Sequence, residues 1–193
     1  MLQTRFTKYN LECGVDEVGR GCIAGPVTAA SVILPEDFYH PKLNDSKKMS
    51  KKSIKEVYDC LTNDSRVTWS VVSITPQVID NINILQATYK AMHKAIDEMI
   101  VRPEFLLIDG DKFRDYNGIP HMCIVKGDSK SAAIAAASVI AKYTRDKYME
   151  ELAVMFPGYL WESNAGYGTV AHLDGIRKLG FTDHHRKSFN IKL

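Results

Sequence analysis

Apolar and polar positions alternate in blocks that divide the chain into strands and helices. Leu11 to Asp16 and Val27 to Leu34 are apolar runs of strand length, joined by a loop that holds Gly19, Gly21 and Gly25. Pro35 to Lys48 is polar and contains Leu43-Asn44-Asp45-Ser46-Lys47-Lys48. Ser50 stands where a helix cap belongs. Ile54, Val57, Tyr58 and Leu61 follow at helical spacing, which predicts a helix to about Leu61. Val67 to Ile74 is rich in β-branched residues, carries Trp69, and predicts a third strand. Thr75-Pro76 opens a helix with proline in its first turn, continuing with a break or two to about Ile100. Beyond Pro103, Glu104 to Ile108 predicts a short strand that delivers Asp109 at its C-terminal end. The polar loop Gly110 to Pro120 carries Asp111 and Asp115, and Met122 to Val125 predicts a fifth strand. Ser131 to about Met155 is alanine-rich and helical, stopped by Pro157-Gly158. Thr169 to Leu179 forms a last helix closed by Gly180.

This order of elements predicts an α/β fold: one domain over residues 1–193, with a mixed sheet of about five strands flanked by helices and a helical C-terminal segment from about residue 157. The length, 193 residues, suffices for one full core. Apolar residues make up 45% and charged residues 25%, with a net charge of +2, so any polyanion partner must be met by local clustering of basic residues. Cys13, Cys22, Cys60 and Cys123 form no CxxC pair and are expected as free thiols in a reducing compartment. The first ten residues lack an apolar signal core, and no apolar run has membrane-spanning length, so a cytoplasmic protein is expected.

The candidate chemistry begins at Cys13-Gly14-Val15-Asp16-Glu17-Val18-Gly19-Arg20-Gly21. Neighbouring side chains of a strand point to opposite faces, so Asp16 and Glu17 share a site only if the strand ends or bulges there. The glycines permit that, and carboxylates suit hard divalent cations. A charged glycine-rich turn after a strand is the plainer reading of the same stretch. Acidic residues recur at three strand ends: Asp16 with Glu17, Asp109, and Asp128. Ligand sites in open α/β sheets collect at such ends. Four converging carboxylates raise one another's pKa, and divalent cations relieve the repulsion. Two cations set about 3.5–4 Å apart clamp the attacking and leaving oxygens of phosphoryl transfer. Turn or helix-cap roles for Asp109 and Asp128 are the alternative, since Asp128 lies near a helix start.

Basic residues adjoin these acids: Arg20, Lys47, Lys48, Lys112, Lys126, Lys130, Arg186 and Lys187. Gathered at one mouth, they would receive a phosphate backbone. Tyr167, between Gly166 and Gly168, can stack on a sugar or base, or simply pack on its loop. There is no GxxxxGK[ST] or GxSxG, and His184-His185 lacks the HExxH or CxxC partners of a metal site, leaving structural or substrate-side roles. Asp146 lies five helical turns beyond Asp128, about 27 Å away on a continuous helix, and is expected to be structural, paired with Lys142 or another basic neighbour.

Together the motifs closely resemble bacterial ribonuclease HII, a type 2 ribonuclease H. They are Gly14 to Gly21 followed by Ala24-Gly25-Pro26-Val27, Asn44 to Lys48, Leu107 to Gly110, Lys126 to Lys130, Ala136 to Lys142 with Arg145-Asp146, and Gly166 to Thr169. The match spans about residues 13 to 189, in order. The resemblance implies a ribonuclease H-like fold and an endonuclease that cleaves RNA in RNA–DNA hybrids. It also implies cutting 5′ of single ribonucleotides in duplex DNA, leaving 3′-hydroxyl and 5′-phosphate ends, with roles in ribonucleotide excision repair and DNA replication. It implies a monomer that uses two divalent cations, Mg2+ or Mn2+, with no membrane partner. Asp16, Glu17, Asp109 and Asp128 match the family's catalytic metal-binding acids. Gly19, Arg20 and Gly21 match its loop that reads the ribose 2′-hydroxyl, Lys47 a phosphate contact, and Tyr167 the tyrosine that stacks on the adjoining deoxyribose. Gly168 departs from the proline or alanine of many members, which loosens the loop around Tyr167. The chain stops soon after Phe189, so the longer C-terminal extension of some members is not expected here.

Two competing readings remain at this level: a hybrid-binding module without catalysis, and a metal-dependent enzyme acting on small phosphorylated metabolites. Intact acids at all four positions argue against the first, and strong salt dependence would argue against the second.

Overall fold

A computed structural model describes residues 2–192. Five strands form one sheet in the order β3-β2-β1-β4-β5: β1 (Glu12–Val18), β2 (Val27–Ile33), β3 (Thr68–Ile74), β4 (Phe105–Asp109) and β5 (His121–Ile124). The first three are antiparallel neighbours, while β4 and β5 run parallel to β1, which makes the sheet mixed. The helices are α1 (Lys51–Asn63), α2 (Pro76–Asp97), α3 (Ala132–Met155), α4 (Trp161–Asn164) and α5 (Val170–Leu179). Ser50, Ser131 and Thr169 cap α1, α3 and α5 through their side chains. The expected break in α2 is at Asn83, in a non-helical conformation, whose side chain accepts from the amides of Leu85 and Gln86 and so restarts the helix.

The sheet divides the core by strand parity. Cys13, Val15, Val27 and Ala29 face α2 with Ile79, Ala87 and Ala91. Ala30 and Val32 face α3 and α1 with Ala133, Ala136, Ala137, Ile54, Val57 and Leu61. Every residue from Ala132 to Ala141 is buried, because small side chains let this helix lie directly on the sheet. The contact is closest at Gly14, where a Cβ would fall inside the backbone of Ala133.

Three short elements escape the apolar pattern: 3₁₀ turns at Ser46–Lys48 and Gly127–Ser129, and α4. None is long enough to show a period. Among the described residues, no helix is long and apolar enough to cross a membrane.

Candidate metal centre and substrate loop

Strand parity also assembles the acids. Gly14 and Leu107 both face α3, so Asp16 and Asp109, two residues further along their strands, leave from that same face. The β1–β4 register pairs Val15 with Ile108, and one further step sets Asp16 level with Asp109. Asp128 enters from the 3₁₀ turn ahead of α3. Oxygens of Asp16, Asp109 and Asp128 all lie within 4.8 Å of one another. Asp16 and Asp128 are each only 3% exposed. The cap of α3 is Ser131, leaving the carboxylate of Asp128 free to face the cluster.

The β1–β2 ladder is regular from Cys13 to Val18, without a bulge. Glu17 therefore starts from the opposite face to Asp16. It is not among the three clustered carboxylates, and its Oε1 accepts from Arg20 Nη1 at 3.2 Å. It stays electrically close: after burial, the charge of Glu17 is the largest influence raising the Asp16 carboxyl, ahead of Asp109. Burial holds Asp16 well above the usual carboxylate range. Burial likewise raises Glu17, against the lowering effect of Arg20, and raises Asp109, against a 2.7 Å hydrogen bond from the Gly127 amide.

Lys47 Nζ donates to Asp128 Oδ2 at 3.2 Å while the rest of its side chain stays largely exposed. Burial opposes its charge, but the bond to Asp128 and the charges of Asp128, Asp16 and Asp45 outweigh that and raise its pKa. One cation cannot neutralise three clustered acids. Hard carboxylate oxygens, crowded and raised in pKa, are the donor set that Mg2+ or Mn2+ takes, so the residues present fit divalent metal.

The Gly19–Pro26 loop rests on two arginines. Arg186 is fully buried and donates from Nη2 to the carbonyl of Gly19 at 2.6 Å, from Nη1 to Arg20 at 2.9 Å and from Nε to Gly25 at 3.0 Å. Arg145, 1% exposed, donates to the carbonyls of Ala24, Pro26 and Ala165. The carbonyls of Gly19 and Arg20 are thereby turned inward, while Arg20 and Gly21 are exposed. Tyr167 is half-exposed, and its Cε1 lies 3.9 Å from where a Cβ on Gly21 would stand.

Arg186 is therefore no phosphate contact, unlike its place among the surface basic residues suggests. Arg145 had a positional signal: Ala141, Arg145, Met149 and Leu152 recur at helical spacing, and all four are buried. His184 and His185 hold no metal cluster among the described residues; His185 bonds Thr182 and His172. Asp146 pairs with Lys142 at 2.9 Å on α3.

A mixed five-stranded sheet with Asp16 on β1, Asp109 on β4 and Asp128 clustered beside them fits the metal-dependent nucleases of the ribonuclease H-like fold. The family model described as Ribonuclease HII matches residues 13–192, and the chain belongs to that family. It is an endoribonuclease of RNA–DNA hybrids, and the family depends on divalent metal. Ribonuclease HII of Parabacteroides distasonis is 50% identical over 191 residues, covering 99% of this chain and 96% of the relative. That of Porphyromonas gingivalis is 50% identical over 190 residues, covering 98% and 94%. Among solved structures, ribonuclease H2 from Pyrococcus horikoshii OT3 matches with a TM-score of 0.75 at 22% identity, covering 93% of each chain. Bst-RNase HIII in complex with Mn2+ matches with a TM-score of 0.70 at 20% identity, covering 93% of this chain and 67% of that one.

Proposed function

We propose that the chain is a monomeric, cytoplasmic, two-cation nuclease, one catalytic unit whose C-terminal segment from about residue 157 completes the substrate groove. It cuts RNA–DNA hybrids and also incises duplex DNA on the 5′ side of a single ribonucleotide, serving ribonucleotide excision repair and DNA replication. The observation that carries this reading is the convergence of Asp16, Asp109 and Asp128 within 4.8 Å. Glu17 is assigned to the rim of the same centre. Bound there, two Mg2+ or Mn2+ ions would supply positive charge to the attacking and leaving oxygens of phosphodiester hydrolysis.

The remaining work belongs to the chain. Water adds to phosphorus and the P–O3′ bond breaks, so the upstream strand keeps a 3′-hydroxyl and the ribonucleotide keeps a 5′-phosphate. Lys47 holds a substrate phosphate beside Asp128. The Gly19-Arg20-Gly21 loop, exposed at Arg20 and Gly21, approaches the 2′-hydroxyl with its backbone, and Gly21 puts no Cβ in the way. Tyr167 packs on the next sugar, where an added hydroxyl would crowd the ring. Ribose is thus tested at one sugar and deoxyribose at the adjoining one.

The test is a digest of duplexes carrying one, four or many ribonucleotides, with Mg2+, Mn2+ or chelator. Divalent-dependent cleavage 5′ of the single ribonucleotide is expected. Cleavage of uniform hybrid alone would overturn the junction reading, and cleavage in chelator would overturn the metal reading.

A further inference from the structure

Behind Tyr167 lies a group of rings that cleavage itself does not use. His172 and His185 are buried, and Trp161 packs against both. Hydrogen-bond chemistry fixes their protons. The Trp161 Nε1–H can only donate and lies 2.9 Å from His172 Nε2, so that nitrogen offers its lone pair. The Thr182 backbone N–H can only donate and lies 2.9 Å from His185 Nδ1, so that nitrogen is bare as well. Each neutral ring then has one proton to place. His172 carries it on Nδ1, 2.8 Å from the carbonyl oxygen of Tyr167. His185 carries it on Nε2, 3.2 Å from His172 Nε2. The one lone pair of His172 Nε2 is shared by Trp161 at 2.9 Å and His185 at 3.2 Å, which leaves Nδ1 as the nitrogen of His172 that donates, to Tyr167.

The destination matters because Tyr167 is 45% exposed and its neighbours Gly166 and Gly168 have no side chains to pack around it. Its place is set by backbone anchors: the Tyr167 amide donates to Asn164, and its carbonyl accepts from Thr169 as well as from His172. We propose that His172 is a positioning residue for ribose selection, its Nδ1–H fixing the Tyr167 carbonyl so that the ring stays set against Gly21. This rests on the reading of Tyr167 as the sugar platform.

Two substitutions separate a donor from mere filling. His172→Asn keeps an N–H near the Nδ1 position, whereas His172→Gln carries its amide toward Nε2 and leaves Tyr167 O with Thr169 alone. The readout is kcat/KM for duplex DNA with one ribonucleotide divided by that for uniform hybrid, in Mg2+, with Tyr167→Ala alongside. His172→Asn should keep the parent ratio within about twofold, and His172→Gln should lower it about three- to tenfold, as expected for one lost hydrogen bond. KM for uniform hybrid should not move. Equal ratios for the two His172 variants, high or low, overturn the proposal. If Tyr167→Ala lowers the ratio and His172→Gln does not, the role of His172 fails alone; if Tyr167→Ala leaves it unchanged, the platform reading fails and takes the proposal with it. Nitrogen-15 histidine NMR of the parent decides the matter should a variant not fold: a neutral His172 protonated on Nδ1 supports the proposal, and protonation on Nε2 overturns it.

Discussion

The Gly127 amide donates to Asp109 Oδ1 at 2.7 Å, tying the end of β4 to the turn that carries Asp128. A Cβ on Gly127 would stand 2.5 Å from Ile134 Cδ1 and 3.3 Å from Asp109 Oδ1, so the junction is tight on both sides. Asp109→Asn preserves an acceptor for this bond and removes the charge. Folding should be intact, as read by circular dichroism and Tm. Cleavage should fall by more than about 100-fold, beyond the usual loss when a partner outside the ligand shell is removed. Activity near the parent level would take Asp109 out of the centre.

Asp16 should make the stability of the metal-free protein depend on pH. Its folded carboxyl is raised above the ordinary value by burial first, then by Glu17 and Asp109. The unfolded chain releases this proton at lower pH than the folded one, so rising pH favours unfolding through the interval between the two values. Asp16→Asn removes that penalty. In chelator, its Tm advantage over the parent should grow as pH rises from about 4 to about 8. A divalent cation should reverse the order at the upper end by binding the ionised cluster of the parent. A pH-independent gap between the two proteins in chelator would contradict the burial of this charge.

Much of this site could be read from residues because Asp109 ends an apolar strand and Asp16 lies two residues before the end of another, and the carboxyl ends of strands are where open sheets place ligands. The alanines of α3 announced a helix, though not that it would lie directly on the sheet against Gly14. The division of labour between Asp16 and Glu17 was not legible, since it depends on whether β1 bulges, and the unbroken ladder to Val18 decides that. Arg186 and His172 were hidden for another reason. A buried arginine that binds only backbone carbonyls, and a histidine bound to a carbonyl and an indole, have partners with no side-chain signature. Only tertiary structure brings Arg186 to a loop 160-odd positions earlier, as its bond to Gly25 illustrates.

Arg186 invites a test between scaffold and phosphate contact. Arg186→Met would leave the carbonyls of Arg20 and Gly25 without their donor, while that of Gly19 keeps the Cys22 amide at 3.4 Å. Each buried group left unpaired costs about 1–3 kcal/mol, so a total of at least about 2 kcal/mol is expected. For a chain of this size that lowers Tm by at least about 4–8 °C. The slope of substrate affinity against salt should stay as in the parent. A phosphate contact would behave in the opposite way, leaving Tm unchanged and reducing the salt slope by about one.

Gly19 and Gly21 flank Arg20 and should respond differently to alanine. Gly19 has a φ of +90°, and a Cβ there would strike the Arg145 side chain. Gly19→Ala should therefore destabilise the fold by about 1–3 kcal/mol, with activity on both substrates falling together. Gly21 has no such backbone, and its added Cβ meets only Tyr167 Cε1, at an ordinary 3.9 Å. Gly21→Ala should leave stability within about 0.5 kcal/mol of the parent. On the proposed reading of this loop, the methyl would instead stand between Gly21 and the Tyr167 ring and obstruct the approach of the ribose. A small misplacement there is amplified in the rate, so kcat/KM on a single embedded ribonucleotide should drop about tenfold or more, and less on uniform hybrid. Thermal denaturation and paired kinetics on the two substrates check both variants. A Gly21→Ala protein that cleaves the junction as fast as the parent would remove this loop from ribose recognition.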